Sequence, residues 1–177
     1  MAPDEPFKRL FFALPCSPQQ GKAISRWRRG LGLRGGRPVP VENFHLTLMF
    51  LGEVGVGQLP VILDTAARLR PLAQPVNLWL DQVEVWRRSQ ALVLTSKEVP
   101  SAFLHWVYAL QQAMLPLGFD TDSRDFRPHL TLMRDYRDPV PEVAPDTEFS
   151  LPGREFVLFE SSKGRYLPLA HWSLIAE

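Results

Sequence analysis

The tetrapeptide His-Leu-Thr-Leu occurs twice in this chain, at His45-Leu46-Thr47-Leu48 and at His129-Leu130-Thr131-Leu132. Only four histidines are present in 177 residues, so half of them head an identical string. Each string opens a short apolar run, 44–51 and 129–133, bounded by turn-type residues, and each run reads as a β-strand. Strand side chains alternate between faces, so His45 and Thr47 share one face while Leu46, Leu48 and Phe50 take the other. The same alternation pairs His129 with Thr131. A single histidine in an apolar strand is ordinarily a packed, hydrogen-bonded residue, and threonine is simply a good strand former. Packing gives no reason for the pair to recur. If the two strands face each other across a groove, two imidazoles and two hydroxyls converge on one spot, an arrangement suited to acid–base work on an anion.

The rest of the chain supplies the scaffold. Arg9 to Leu14 reads as a first strand, with Leu10, Phe12 and Leu14 on an apolar side and Arg9, Phe11 and Ala13 on a mixed side able to line a cleft. Ser17-Pro18 has the form of an N-cap followed by proline at the first helical position, opening a helix to about Arg29 that Gly30 and Gly32 end. A turn over 52–57 and a second helix, roughly 58–69, follow the first histidine strand. Val76–Leu80, Val83–Trp86 and Ala91–Thr95 are three further short strands. Pro100-Ser101 opens the strongest helix, whose stripe of Phe103, Val107, Leu110, Met114 and Leu117 faces a core until Gly118 stops it. The Pro- and acid-rich stretch 138–152 reads as an exposed connection, and 155–161 and 171–175 as two closing strands with Lys163-Gly164-Arg165-Tyr166 in the turn. Each half carries helices, strands and one His-Leu-Thr-Leu string. The expected fold is α+β: two pseudo-symmetric lobes with antiparallel sheets lining a central cleft and helices outside, all within a single domain over 1–177.

Composition narrows the class. The chain is long enough to bury a sizeable core, and 45% hydrophobic content with both charge signs is ordinary for a globular protein. The lone Cys16 excludes an internal disulfide and a cysteine-based zinc site and suits a reducing cytoplasm. No apolar run is long enough to span a membrane. Net charge is only +1, yet 6–41 holds eight Lys and Arg (Lys8, Arg9, Lys22, Arg26, Arg28, Arg29, Arg34 and Arg37) and no acid. That cluster is either a phosphate-attracting face or a solvated helix surface.

The chemistry follows from the residue types. Imidazole titrates near neutrality, so one of a pair can accept a proton while the other donates one. Threonine hydroxyls can hydrogen-bond non-bridging phosphate oxygens. No acidic cluster, nucleophilic Ser or Cys motif or Gly-rich phosphate loop is apparent. The implied reaction is phosphodiester hydrolysis or transesterification, and RNA or cyclic phosphates suit it because the ribose hydroxyl is a built-in nucleophile or leaving group. Phe11 is a candidate for stacking a base, with core packing as the alternative, and Tyr166 is a candidate of the same kind.

Two His-x-Thr-x strings half a chain apart resemble those of the two-histidine phosphoesterases. The likeness extends to Arg9-Leu10-Phe11-Phe12-Ala13, Glu42-Asn43-Phe44, Phe50-Leu51-Gly52-Glu53, Phe126-Arg127-Pro128 and Arg165-Tyr166-Leu167-Pro168-Leu169, and is similar to the bacterial RNA 2′,3′-cyclic phosphodiesterase (2′-5′ RNA ligase) branch. The resemblance implies a metal-free enzyme with no cofactor that opens RNA 2′,3′-cyclic phosphate ends to 2′-phosphomonoesters. It implies that His45 donates a proton to the departing 3′ oxygen, that His129 activates water, and that Thr47, Thr131 and Arg134 hold the phosphate. Simple alternation places Arg134 opposite His129, so that role requires a bulge or a strand end. Arg127 has the right parity and is a second candidate. The expected partner is an RNA with a cyclic phosphate end, with no membrane association, and the expected form is a cytoplasmic monomer. A small cyclic nucleotide as substrate and a non-catalytic RNA-end binder are the alternatives.

Overall fold

The alternation in the chain is realised as two four-stranded antiparallel sheets, seen in a computed structural model that describes residues 6–120 and 126–176. The first sheet has the order β10-β9-β1-β3, with β1 at Phe7–Pro15, β3 at His45–Gly55, β9 at Glu155–Ser162 and β10 at Arg165–Ser173. The second has the order β2-β7-β6-β5, with β2 at Arg37–Pro38, β5 at Gln82–Trp86, β6 at Ala91–Thr95 and β7 at His129–Arg134. A two-stranded ribbon pairs β4 (Val76–Leu80) with β8 (Phe149–Gly153). The class is therefore α+β with antiparallel sheets. The sheets do not follow the chain halves, because β9 and β10 return from the C-terminal end to complete the sheet of the first motif.

The helices begin and end where their residues dictate. α1 (Pro18–Gly30) is capped by Ser17, whose hydroxyl accepts from the Gln20 amide at 3.2 Å. α2 covers Leu59–Ala67. α3 (Ser101–Met114) buries Phe103, Trp106, Val107, Leu110 and Met114, and its 3-10 continuation ends at Gly118, whose φ of 95° only glycine adopts easily. That stripe joins Leu10, Phe12 and Leu14 of β1 and Leu46, Leu48, Leu130 and Leu132 of the motif strands in one core. Each fully buried leucine there contributes roughly 1.5–3 kcal/mol through removal of apolar area from water. Among the described residues no helix is long and apolar enough to cross a membrane.

Three local expectations are corrected. Residues 138–152 are not all connection, since β8 starts at Phe149 and pairs Leu78 with Leu151. Its Leu151 is buried, and that burial outweighs the Pro- and acid-rich composition around it. The last strand is β10 over Arg165–Ser173 rather than 171–175, so Tyr166 lies in a strand and not in the turn. β3 runs on to Gly55, through most of the stretch read as a turn, because its ladder with β1 continues to Phe7↔Gly55.

The most consequential departure from simple alternation is shared by both motif strands. In β3, Ala13 pairs with Thr47 but the next β1 partner, Phe12, pairs with Met49, which leaves Leu48 as an extra residue. In β7, Val93 pairs with Thr131 and Leu92 with Met133, which leaves Leu132 extra. Each is a β-bulge, and each reverses the side-chain parity beyond it. The bulge carbonyl of Leu132 is not left bare: the Val39 amide donates to it at 3.0 Å and Arg28 Nη1 at 2.8 Å.

Candidate active site

His45 sits at the start of β3 with both ring nitrogens engaged. Nδ1 lies 2.7 Å from the Asn43 carbonyl, which can only accept, so Nδ1 carries the proton. Nε2 is then the lone-pair nitrogen, and it accepts from the Thr47 hydroxyl at 2.8 Å. The ring is walled by Phe11 at 4.9 Å and by the edge of Tyr166 at 5.0 Å between centroids. Burial lowers the imidazole from 6.5 to about 4; the Asn43 carbonyl opposes this, and the charges of Arg134 and His129 reinforce it.

His129, at the start of β7, repeats the pattern. Its Nδ1–H donates to the Arg127 carbonyl at 3.0 Å, and Nε2 has no hydrogen-bond partner among the described residues. Trp86 lies against this ring, 4.2 Å between centroids and tilted by 48°. Burial lowers this imidazole as well, opposed by the Arg127 carbonyl, with the Arg127 and Arg134 charges lowering it further and Glu84 raising it. Both imidazoles are therefore held neutral, each with the proton on Nδ1 and the lone pair on Nε2, bonded to the Thr47 hydroxyl in His45 and open in His129.

The bulges decide what flanks them. Arg134 stands five residues after His129, and the parity reversal at Leu132 turns it to the face of His129 and Thr131. It is exposed, its charge acts on both imidazoles, and its Nη2 lies 3.5 Å from the Tyr166 hydroxyl on the opposite sheet. Phe50 holds the equivalent place after His45. It sits on the face of Phe11, 6.0 Å between centroids, and is 70% exposed. This corrects the alternation argument, which grouped Phe50 with the core leucines, and it supplies an aromatic face in the cleft that the sequence reading missed. The clue was available: a bulge needed to turn Arg134 inward in one copy of the string implies the same bulge in the other.

Other expected site residues fall in three groups. Thr47, 8% exposed, and Thr131 lie beside their histidines. Phe11 is only 3% exposed and stacks on Phe159 at 5.5 Å, so no face is left for a base; its ring supports His45 instead. Tyr166 packs edge-on against both Phe11 and His45, with its hydroxyl toward Arg134. Arg127 is not a free phosphate ligand, because its Nη2 binds Glu84 Oε2 at 2.7 Å and its guanidinium lies 5.4 Å from the Trp86 ring centre. The remaining histidines lie outside the cluster: His105 is exposed on α3, and His171 sits 3.5 Å from Glu155.

Known proteins share this architecture. A family model described as LigT-like phosphoesterase matches residues 14–94. The RNA 2′,3′-cyclic phosphodiesterase of Escherichia coli (strain K12) is 34% identical over 173 residues, covering 94% of this chain and 97% of that protein. A protein of the same name from Thermus thermophilus is 30% identical over 77% of this chain and 73% of its own length. The crystal structure of E. coli LigT complexed with 3′-AMP superposes with a TM-score of 0.82 at 31% identity, covering 96% of this chain and 99% of that one. A match of this identity along almost the whole length of both proteins settles the kinship: this chain belongs to the LigT-like phosphoesterase family.

Proposed function

We propose that this protein is an RNA 2′,3′-cyclic phosphodiesterase that opens a terminal cyclic phosphate to a 2′-phosphomonoester by two-histidine acid–base catalysis without a metal ion. The observation that carries the reading is the repeated pair of a neutral Nε2 and a neighbouring threonine, joined across the cleft by Arg134 and Tyr166. The relatives named RNA 2′,3′-cyclic phosphodiesterase support the same substrate.

In this mechanism Nε2 of His129 takes a proton from water as the water oxygen attacks phosphorus. The bond to the 3′ oxygen breaks, and protonated His45 delivers its Nε2 proton to that oxygen. A positioned acid or base of this kind typically contributes about 10²–10⁴-fold. The Thr47 and Thr131 hydroxyls donate to the non-bridging oxygens, and the Arg134 guanidinium balances the charge that grows on them. Phe50 offers its exposed ring to the terminal base, a contact worth about 1–3 kcal/mol. With the 5′-hydroxyl of another RNA attacking phosphorus in place of water, the same groups in the same roles perform 2′-5′ ligation: the bond to the 3′ oxygen breaks and a 2′-5′ phosphodiester forms. All of these groups come from one chain, which fits a monomer, and the free Cys16 thiol fits a reducing cytoplasm.

A short RNA ending in a 2′,3′-cyclic phosphate tests the reading. The expected product carries a 2′-phosphate, distinguished from the 3′ isomer by phosphorus NMR, and forms at the same rate in excess EDTA. Mainly 3′-phosphate overturns the orientation of the ribose end, and no turnover of any cyclic phosphate overturns the function.

A further inference from the structure

The groups that hold Arg127 away from the phosphate form a closed circuit behind His129. Glu84, on the edge strand β5, accepts through Oε2 from Thr95 Oγ1 at 2.5 Å and from Arg127 Nη2 at 2.7 Å. Thr95 is 1% exposed and is itself the ladder partner of His129. Arg127 lies over Trp86, and Trp86 lies against the His129 ring. The carbonyl of Arg127 is the acceptor that fixes His129 Nδ1–H. One carboxylate therefore anchors both the wall beside the imidazole and the residue whose carbonyl sets its tautomer. The Trp86 Nε1–H is buried and makes no hydrogen bond of its own among the described residues, yet it is near enough to Glu84 to help keep that carboxyl ionised.

We propose that Glu84 is a positioning residue for the proton-accepting histidine, acting through Arg127 and Trp86 to hold the His129 ring and its Nδ1-protonated tautomer in place. The inference rests on the reading of His129 as the base. It goes beyond that reading by assigning a role to a carboxylate that touches neither substrate nor reacting atoms. Geometry makes the argument. A ring carried on one side chain keeps two torsional freedoms, and here a carbonyl on Nδ1 and an indole face remove both. The indole is in turn clamped by a guanidinium that would swing into solvent without its carboxylate. Burial alone would raise the Glu84 carboxyl; the Thr95 hydroxyl and the Arg127 guanidinium outweigh it and hold the carboxyl below its ordinary range, so the anchor is charged throughout the neutral region.

Two substitutions separate positioning from bulk structure. Glu84→Gln keeps an acceptor for Thr95 and Arg127 but removes the charge, while Glu84→Ala removes the anchor. The charged and titratable groups facing His129 are Arg127, Arg134, Glu84 and, from β3, His45. Loss of the Glu84 charge leaves the Arg127 and Arg134 cations unopposed and lowers the His129 pKa. The neutral base then persists to lower pH, and the acid limb of kcat, which reports the bound complex in which His45 carries its proton, moves down by about half a unit, the size expected of one charge through a partly solvated gap. Glu84→Ala is expected to lower kcat about ten- to a hundredfold with little change in KM, since a misplaced base harms chemistry more than binding. NMR titration of the His129 ring in both variants reads the effect independently of turnover. It also distinguishes failure of this inference from failure of the proposed activity, because the ring titrates in a folded protein whether or not RNA is cleaved. An unmoved acid limb and an unmoved His129 titration in both variants, or equal losses in kcat and in folded fraction, overturn the role.

Discussion

The titration of His45 gives the sharpest quantitative expectation. This imidazole is lowered to about 4, chiefly by burial, and the Thr47 hydroxyl bonds its lone pair. At pH 7 only about one molecule in a thousand would then carry the proton that the mechanism needs. The substrate supplies the remedy. A phosphodiester anion whose charge lies about 4 Å from Nε2, in surroundings of effective dielectric near 20, stabilises the imidazolium by about 4 kcal/mol, or roughly three pKa units. His45 should therefore move from about 4 to near 7 when an anion binds, while the Thr47 hydroxyl turns from Nε2 toward a phosphate oxygen. The assay is a proton NMR titration of the His45 Cε1–H with and without saturating 2′-AMP, assigned with a His45→Gln variant. An imidazole that still titrates near 4 in the complex would refute the reasoning, since no acid of that strength can be protonated in a useful fraction at neutral pH.

Three further outcomes follow from the same geometry. Phe50→Ala should raise KM for a cyclic-phosphate RNA about tenfold or more and leave kcat within a few-fold, because a 70%-exposed ring can stack a base but touches no reacting oxygen. Steady-state kinetics on an adenosine-terminated RNA measures it. Arg28→Met should destabilise the fold by about 2 kcal/mol in urea unfolding, because Arg28 Nη1 is a charged donor to the Val39 carbonyl at 2.7 Å and to the bulge carbonyl of Leu132 at 2.8 Å. Stability should also fall on acidification: His45 has a lower pKa folded than unfolded, so the unfolded chain binds more protons as the pH drops from about 6.5 to about 4, a loss approaching 3 kcal/mol across that window. His45→Gln should flatten that part of the pH–stability curve.

The legibility of the chain tracks the range of the interactions involved. The histidine strands, the capped first helix and the apolar stripe of α3 depend on residues within a few positions of one another, and they fall where the periodicity puts them. The paired motifs pointed to a candidate site because two identical strings need a common cause. Strand β8 escaped because its stability comes from Val76–Leu80, some 70 residues away, rather than from its own proline-containing run. The bulges escaped for a related reason. They are set by pairing with β1 and β6, and alternation counted along one strand cannot see a partner that is one residue short. That omission misdirected Phe50, whereas for Arg134 the need for a bulge or a strand end was already evident, and Arg127 stood beside it as a phosphate candidate on parity alone. Parity was right for Arg127, but Glu84 on another strand had already claimed the guanidinium.

The account stands on His129 as the proton acceptor paired with His45. Its most direct test is the turnover of His129→Ala on an RNA with a 2′,3′-cyclic phosphate end, measured in excess EDTA beside His45→Ala and the double variant. The expected result is a loss of about 10²-fold or more in either single variant, a double variant little slower than either, and retained binding of the 2′-phosphate product. A His129→Ala enzyme that turns over within a few-fold of the parent would contradict the pairing on which the mechanism rests.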